Sequence, residues 1–96
     1  MSKNLLHVGC GPAHKANTRR GFNTPEWEET RFDINPAVSP DIVGDMTNMS
    51  NVDSDLFDAV FSSHNIEHLF YHEVAAALRE FYRVLNKDGF VSFLNP

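Results

Sequence analysis

Leu5 to Val8 is a short apolar run stopped by glycine, a pattern that predicts a strand buried on both faces. The segment 12–28 is polar, carries Gly21 and two prolines, and shows no apolar stripe at helical spacing. It predicts a connection without a long helix. Glu29 to Ile34 reads as a second strand closed by Asn35-Pro36, and Asp41 to Val43 as a third, brief one before Gly44-Asp45. Leu56 to Phe61 is a nearly continuous apolar run and predicts a clearer strand. From His72 to Leu85 the period changes: Val74, Leu78, Phe81 and Leu85 recur at i, i+4, i+7 and i+11, a stripe that predicts a helix facing a core. Asn86-Lys87-Asp88-Gly89 supplies a stop and a turn, and Phe90 to Leu94 a final strand. Buried-type strands before and after a helix predict βαβ units, hence an α/β domain on a parallel sheet.

Composition narrows the class. The chain of 96 residues allows one small domain, and 42% apolar residues with eight Phe is a folded rather than a disordered composition. Cys10 is the only cysteine, which excludes an internal disulfide and fits a reducing compartment. No stretch nears the roughly 20 apolar residues of a membrane span. Met1-Ser2-Lys3 runs straight into predicted structure, so the expectation is a cytoplasmic protein with no leader and no membrane partner. A net charge of −5 counts against nucleic acid as a partner. Its distribution says more than its sum. No Lys or Arg occurs between Phe32 and Leu78, while Asp33, Asp41, Asp45, Asp53, Asp55, Asp58, Glu67 and Glu73 all fall there. That stretch is either a solvated acidic face or a site suited to a cationic ligand.

The candidate chemistry begins at "LLHVGCGP". A glycine turn after a first strand lets backbone approach a ligand closely, and in an open parallel sheet it lies at the carboxyl end, where ligands bind. Asp33, at the end of the next strand, stands where a carboxylate can accept from ribose hydroxyls. A dinucleotide fingerprint ends on glycine or another small residue, whereas Gly9-Cys10-Gly11-Pro12-Ala13-His14 ends on a bulky histidine and no predicted helix follows. Dinucleotide binding loses ground; a nucleoside-type ligand, or a purely structural turn, remains.

The whole order of motifs resembles the class I, Rossmann-like methyltransferases, in particular those of methyltransferase type 11. "LLHVGCGP" is similar to their first motif, "RFDIN" to the acidic end of their second strand, and "VGDMTNM" to the segment after the third. "FDAVFSSHNIEHL" is similar to their fourth-strand motif, and "EFYRVLNKDGFVSFLNP" to the helix, turn and fifth strand beyond it. The resemblance implies a Rossmann-like parallel sheet with flanking helices, incomplete at its C-terminal edge, with residues 1–96 as a partial domain. It implies S-adenosylmethionine as cofactor and transfer of its methyl group to a small-molecule or macromolecular acceptor. Gly9 and Gly11 would lie beside the methionine and ribose portions, with Cys10 between them in the cofactor loop. Asp33 would accept the ribose hydroxyls, with Ile34 beside it, and Asp45 and Met46 would border the adenine. Ser63 and His64 would line the reaction side, His64 as a general base.

The family's sheet continues past a fifth strand. Phe90 to Leu94 would therefore be an apolar edge, covered by a longer chain or by a second copy in a homodimer. The alternative is a module that keeps the fold, without turnover, and binds cofactor or a partner. His64-Asn65-Ile66-Glu67-His68 also matches H-x-x-E-H, an inverted zinc-protease signature. A parallel-sheet context with a glycine turn is foreign to those proteases, so no metal is expected. Phe22 and Trp27 read as packing anchors or as covers over a ligand, and Asp45 as an adenine contact or a turn cap.

Overall fold

A computed structural model of the chain describes residues 3–18, 20–63 and 69–94. His64, the predicted general base, and the H-x-x-E-H motif lie outside the described residues. Strands β1 (Lys3–Val8), β2 (Trp27–Asp33), β3 (Ile42–Val43), β4 (Phe57–Ser63) and β5 (Leu85–Leu94) form one parallel sheet in the order β3-β2-β1-β4-β5. Helix α1 (Tyr71–Val84) crosses from β4 to β5. The expected Rossmann-like sheet is present, and α1 is the one α-helix among the described residues; short 3-10 turns stand at Lys15–Asn17, Arg20–Phe22 and Pro36–Val38.

β1 is central because both its faces are covered. Leu6 and Val8 join Phe32, Val60, Ala77, Phe81 and Val84 on one side, and Leu5 joins Phe22, Trp27, Ala59 and Phe61 on the other. A strand buried on both faces reads as an unbroken apolar run, which is why it is legible in sequence. Among the described residues the second face is closed without an α-helix. Lys15 Nζ donates to the carbonyls of Thr24 (2.9 Å) and Trp27 (2.8 Å), folding segment 12–28 back on the sheet. Phe22 then packs edge-on against Trp27 at 4.9 Å between ring centroids. Both rings are buried, so they are packing anchors.

Helix α1 keeps part of the predicted stripe: Phe81 and, just past its end, Leu85 are buried, but not Leu78. Ala77, Phe81 and Val84 are its buried residues, while Leu78 is 42% exposed. Two apolar phases coexist on this helix, and the fully buried Ala77 belongs to the one that meets the core. Glu80 and Arg83 tie the preceding loop to it. Glu80 Oε1 accepts the Met49 N–H (2.6 Å), and Arg83 donates to the carbonyls of Met49 (2.7 Å) and Val52 (3.0 Å). The predicted turn at Asn86–Gly89 sits inside β5. The ladder jumps from Phe57↔Leu85 to Ala59↔Phe90, leaving those four residues as a bulge that Asn86 pins to Asp58 Oδ1 at 2.6 Å.

Candidate functional site

The parallel strands end together on one side, and three of their carboxyl ends build a cavity. After β1 the chain turns through Gly9 (φ 62°) and Gly11 (φ 55°), left-handed conformations that favour glycine. The Gly9 N–H donates to the Phe32 carbonyl (2.7 Å), and the Gly11 N–H to Asp33 Oδ2 (2.8 Å). Asp33 Oδ1 accepts the Asn35 N–H (2.9 Å), so each carboxylate oxygen holds one backbone donor and keeps a further lone pair. After β3, the Gly44 N–H donates to the Asp33 carbonyl (3.0 Å). Gly44 is glycine for want of space: a Cβ there would lie 2.8 Å from the Phe32 ring.

Asp45 Oδ1 accepts from both the Thr47 hydroxyl (2.7 Å) and the Thr47 N–H (2.8 Å). These bonds, the hydroxyl's first, hold its carboxyl below the usual carboxylate range, so it is ionised at neutral pH. The capping role expected of Asp45 is therefore real, and the residue also lines the cavity. Glu73 enters from the first turn of α1, where its Oε1 accepts the Phe70 N–H (2.9 Å).

The resulting cavity measures about 340 Å³. Gly9, Asp33, Ile34, Asp45 and Met46, all singled out in the sequence, line it together. Phe32, Gly44, Leu69 and Glu73 complete the lining and were not foreseen. Phe32 and Gly44 adjoin predicted residues and could have been found by the strand-end rule; Leu69 ends the quoted fourth-strand motif and Glu73 belongs to the acidic stretch, but their place in the cavity depends on how α1 packs. Cys10, Gly11 and Ser63 are not among the lining residues. Cys10 is buried beneath the turn, where desolvation pushes its thiol up and keeps it protonated. Gly11 acts through its bond to Asp33, and Ser63 closes the β4 ladder opposite Leu94.

The lining joins apolar walls from Phe32, Ile34, Met46 and Leu69 to the carboxylates of Asp33, Asp45 and Glu73. Among the described residues no lysine or arginine lines it. Such a cavity suits a flat, partly apolar ligand that bears hydroxyls and positive charge, and it opposes a diphosphate. No group of three or more histidine, cysteine or acidic residues placed to hold a metal ion occurs among the described residues. No helix there is long and apolar enough to cross a membrane. On the reverse face of the sheet, His7 Nδ1 lies 2.8 Å from Glu29 Oε2, and burial lowers the pKa of the imidazole despite that carboxylate.

Comparison with known proteins agrees with this fold. The family profile described as "Methyltransferase domain" matches residues 6–93. No curated protein sequence matches the chain significantly. Among solved structures, a candidate S-adenosyl-L-methionine-dependent methyltransferase from Methanococcus maripaludis superposes with a TM-score of 0.75 at 18% identity, over 97% of this chain and 48% of its own. A protein from Pyrococcus horikoshii gives 0.72 at 22% identity, over 97% and 50%. A candidate methyltransferase from Bacillus halodurans gives 0.74 at 23%, over 94% and 44%. The chain thus spans about half the length of the structures it resembles.

Proposed function

The chain belongs to the methyltransferase domain family, and from that premise we propose that it is the cofactor-binding core of an S-adenosylmethionine-dependent methyltransferase. The observation that carries the reading is the cavity's lining: three carboxylate acceptors, apolar walls and, among the described residues, no cation. In this reading Asp33 accepts the ribose hydroxyls with its remaining lone pairs. Ile34 and Met46 flank the adenine, and Asp45 accepts from its amino group. The acidic lining favours the sulfonium and ammonium charges of the cofactor over the diphosphate of a dinucleotide. When bound, the cofactor supplies an already activated methyl group, so the protein's task is to hold and align it and to exclude water.

Thermal unfolding with S-adenosylhomocysteine tests the assignment. At about 100 times its dissociation constant the ligand should stabilise the chain by roughly 2.7 kcal/mol. Asp33→Asn, which keeps a side chain of the same size, should abolish most of that shift, and NAD should produce none. A midpoint raised by NAD and unmoved by S-adenosylhomocysteine overturns the reading. The other reading is a non-catalytic module. On its side stands Phe90, half exposed on β5. A homodimer along that strand would appear in sedimentation. Transfer of a labelled methyl group to any nucleophile in a panel of acceptors decides for the enzyme.

A further inference from the structure

Arg31 lies on β2, two residues before Asp33, and is only 7% exposed. A buried guanidinium is costly unless its donors are met. No carboxylate among the described residues forms an ion pair with its side chain. Its partners are backbone carbonyls instead. Nε donates to Ala13 (2.9 Å), Nη1 to Ser39 (2.9 Å), Nη1 and Nη2 to Val38 (3.3 Å each), and Nη2 to Gly11. These carbonyls come from two loops, the glycine turn after β1 and the turn after β2.

Those loops flank Asp33. Gly11 is gripped at both ends: its N–H donates to Asp33 Oδ2, and its carbonyl accepts from Arg31. The pair of bonds locks the left-handed backbone of that residue. On the far side, Asp33 Oδ1 accepts from Asn35, whose side chain in turn accepts the Ala37 N–H (3.0 Å), and the same turn ends in the Val38 and Ser39 carbonyls. The backbone of Arg31 is itself anchored, its N–H donating to Asp41 Oδ2 (2.7 Å). One cation therefore sets the backbone on both sides of the cavity's central carboxylate.

We propose that Arg31 is the positioning residue of this site, the group that holds the glycine turn and the turn after β2 in the arrangement that grips the cofactor. The proposal rests on the cofactor assignment above. Lysine cannot replace it, because three donors on a compact charge do not span carbonyls from two loops, whereas a planar fork of five does.

Arg31→Lys and Arg31→Met in the full chain test this. Affinity for S-adenosylhomocysteine is measured by calorimetry at a temperature where parent and variants are equally folded by circular dichroism. Val84→Ala, a core change at a residue outside the cavity lining, serves as the stability control. Arg31→Met should bind about tenfold more weakly or worse, the scale of losing one or two charge-assisted hydrogen bonds. Arg31→Lys should fall between Met and parent. The Gly11 amide resonance should shift in both ligand-free variants, and Val84→Ala should lower the melting midpoint with affinity unchanged. Parent-like affinity and an unmoved Gly11 resonance in Arg31→Lys overturn the proposal, even if Arg31→Met fails to fold. A parent chain that binds no S-adenosylhomocysteine overturns the cofactor reading itself, a different and recognisable result.

Discussion

Gly44→Ala tests how closely the strand ends are fitted around the cavity. The added Cβ would lie 2.8 and 2.9 Å from two atoms of the Phe32 ring and 3.2 Å from Asn51 Oδ1. Phe32 is 1% exposed and packs in the main core, so its ring has little room to retreat. Overpacking of this kind costs about 1–3 kcal/mol. The positive-φ glycines are Gly9 and Gly11, so alanine suits the backbone at position 44, and the entropy removed from the unfolded chain returns about 0.4–1 kcal/mol. At the middle of both ranges the clash wins by about 1.3 kcal/mol. At roughly 4–8 °C per kcal/mol for a domain of this size, the melting midpoint should fall by at least about 4 °C. Urea titration followed by circular dichroism gives the free energy, and an unchanged slope shows that the surface exposed on unfolding is the same in both proteins. The decisive control is a double-mutant cycle with Phe32→Leu, which removes both ring atoms. In that background Gly44→Ala should cost less by about 1 kcal/mol. A Gly44→Ala midpoint above the parent's, or a cost that ignores the Leu background, refutes the steric argument.

Further predictions concern α1 and its attachment to the loop beside the cavity. Phe81→Ala should destabilise by about 3–5 kcal/mol, as for a fully buried ring, whereas Leu78→Ala should cost well under 1 kcal/mol by the same titration. Comparable losses at both positions would place the helix face wrongly. Glu80 is held below its ordinary value of 4.5 by the Arg83 side-chain hydrogen bond, with the Met49 N–H adding to the effect. A carboxyl lowered by folding contributes stability that is complete above the unfolded value and is lost as pH falls through the folded one. Denaturation midpoints taken from pH 6 down to 3 should therefore decline less steeply below about 4.5 in Glu80→Gln than in the parent; identical slopes would remove Glu80 from the account.

The chain's own pattern determined the sheet and half of the site. β1 and β4 are legible because strands covered on both faces must be apolar at nearly every position, which needs no partner to be named. Gly9, Asp33 and Asp45 are legible for a related reason: each lies at its strand's end or within two residues of it, and a parallel sheet brings strand ends to one side whatever else the fold does. Segment 12–28 was rightly read as lacking a long helix, but its ordering depends on Lys15 reaching carbonyls nine and twelve residues away. The inward face of α1 was legible only in part, through Phe81, for another reason. Ala75, Ala76 and Ala77 differ only by which of them meets the sheet, and helical periodicity fits either phase. Glu73 and Leu69 entered the cavity through the packing of that helix. Arg31 reads in sequence as one charged residue in a strand. Its carbonyl partners lie on both sides of it along the chain, at Gly11 and Ala13 and at Val38 and Ser39. Local periodicity carries information over a turn of helix or two strand residues; bonds that join separate loops exist only once the sheet has brought its ends together.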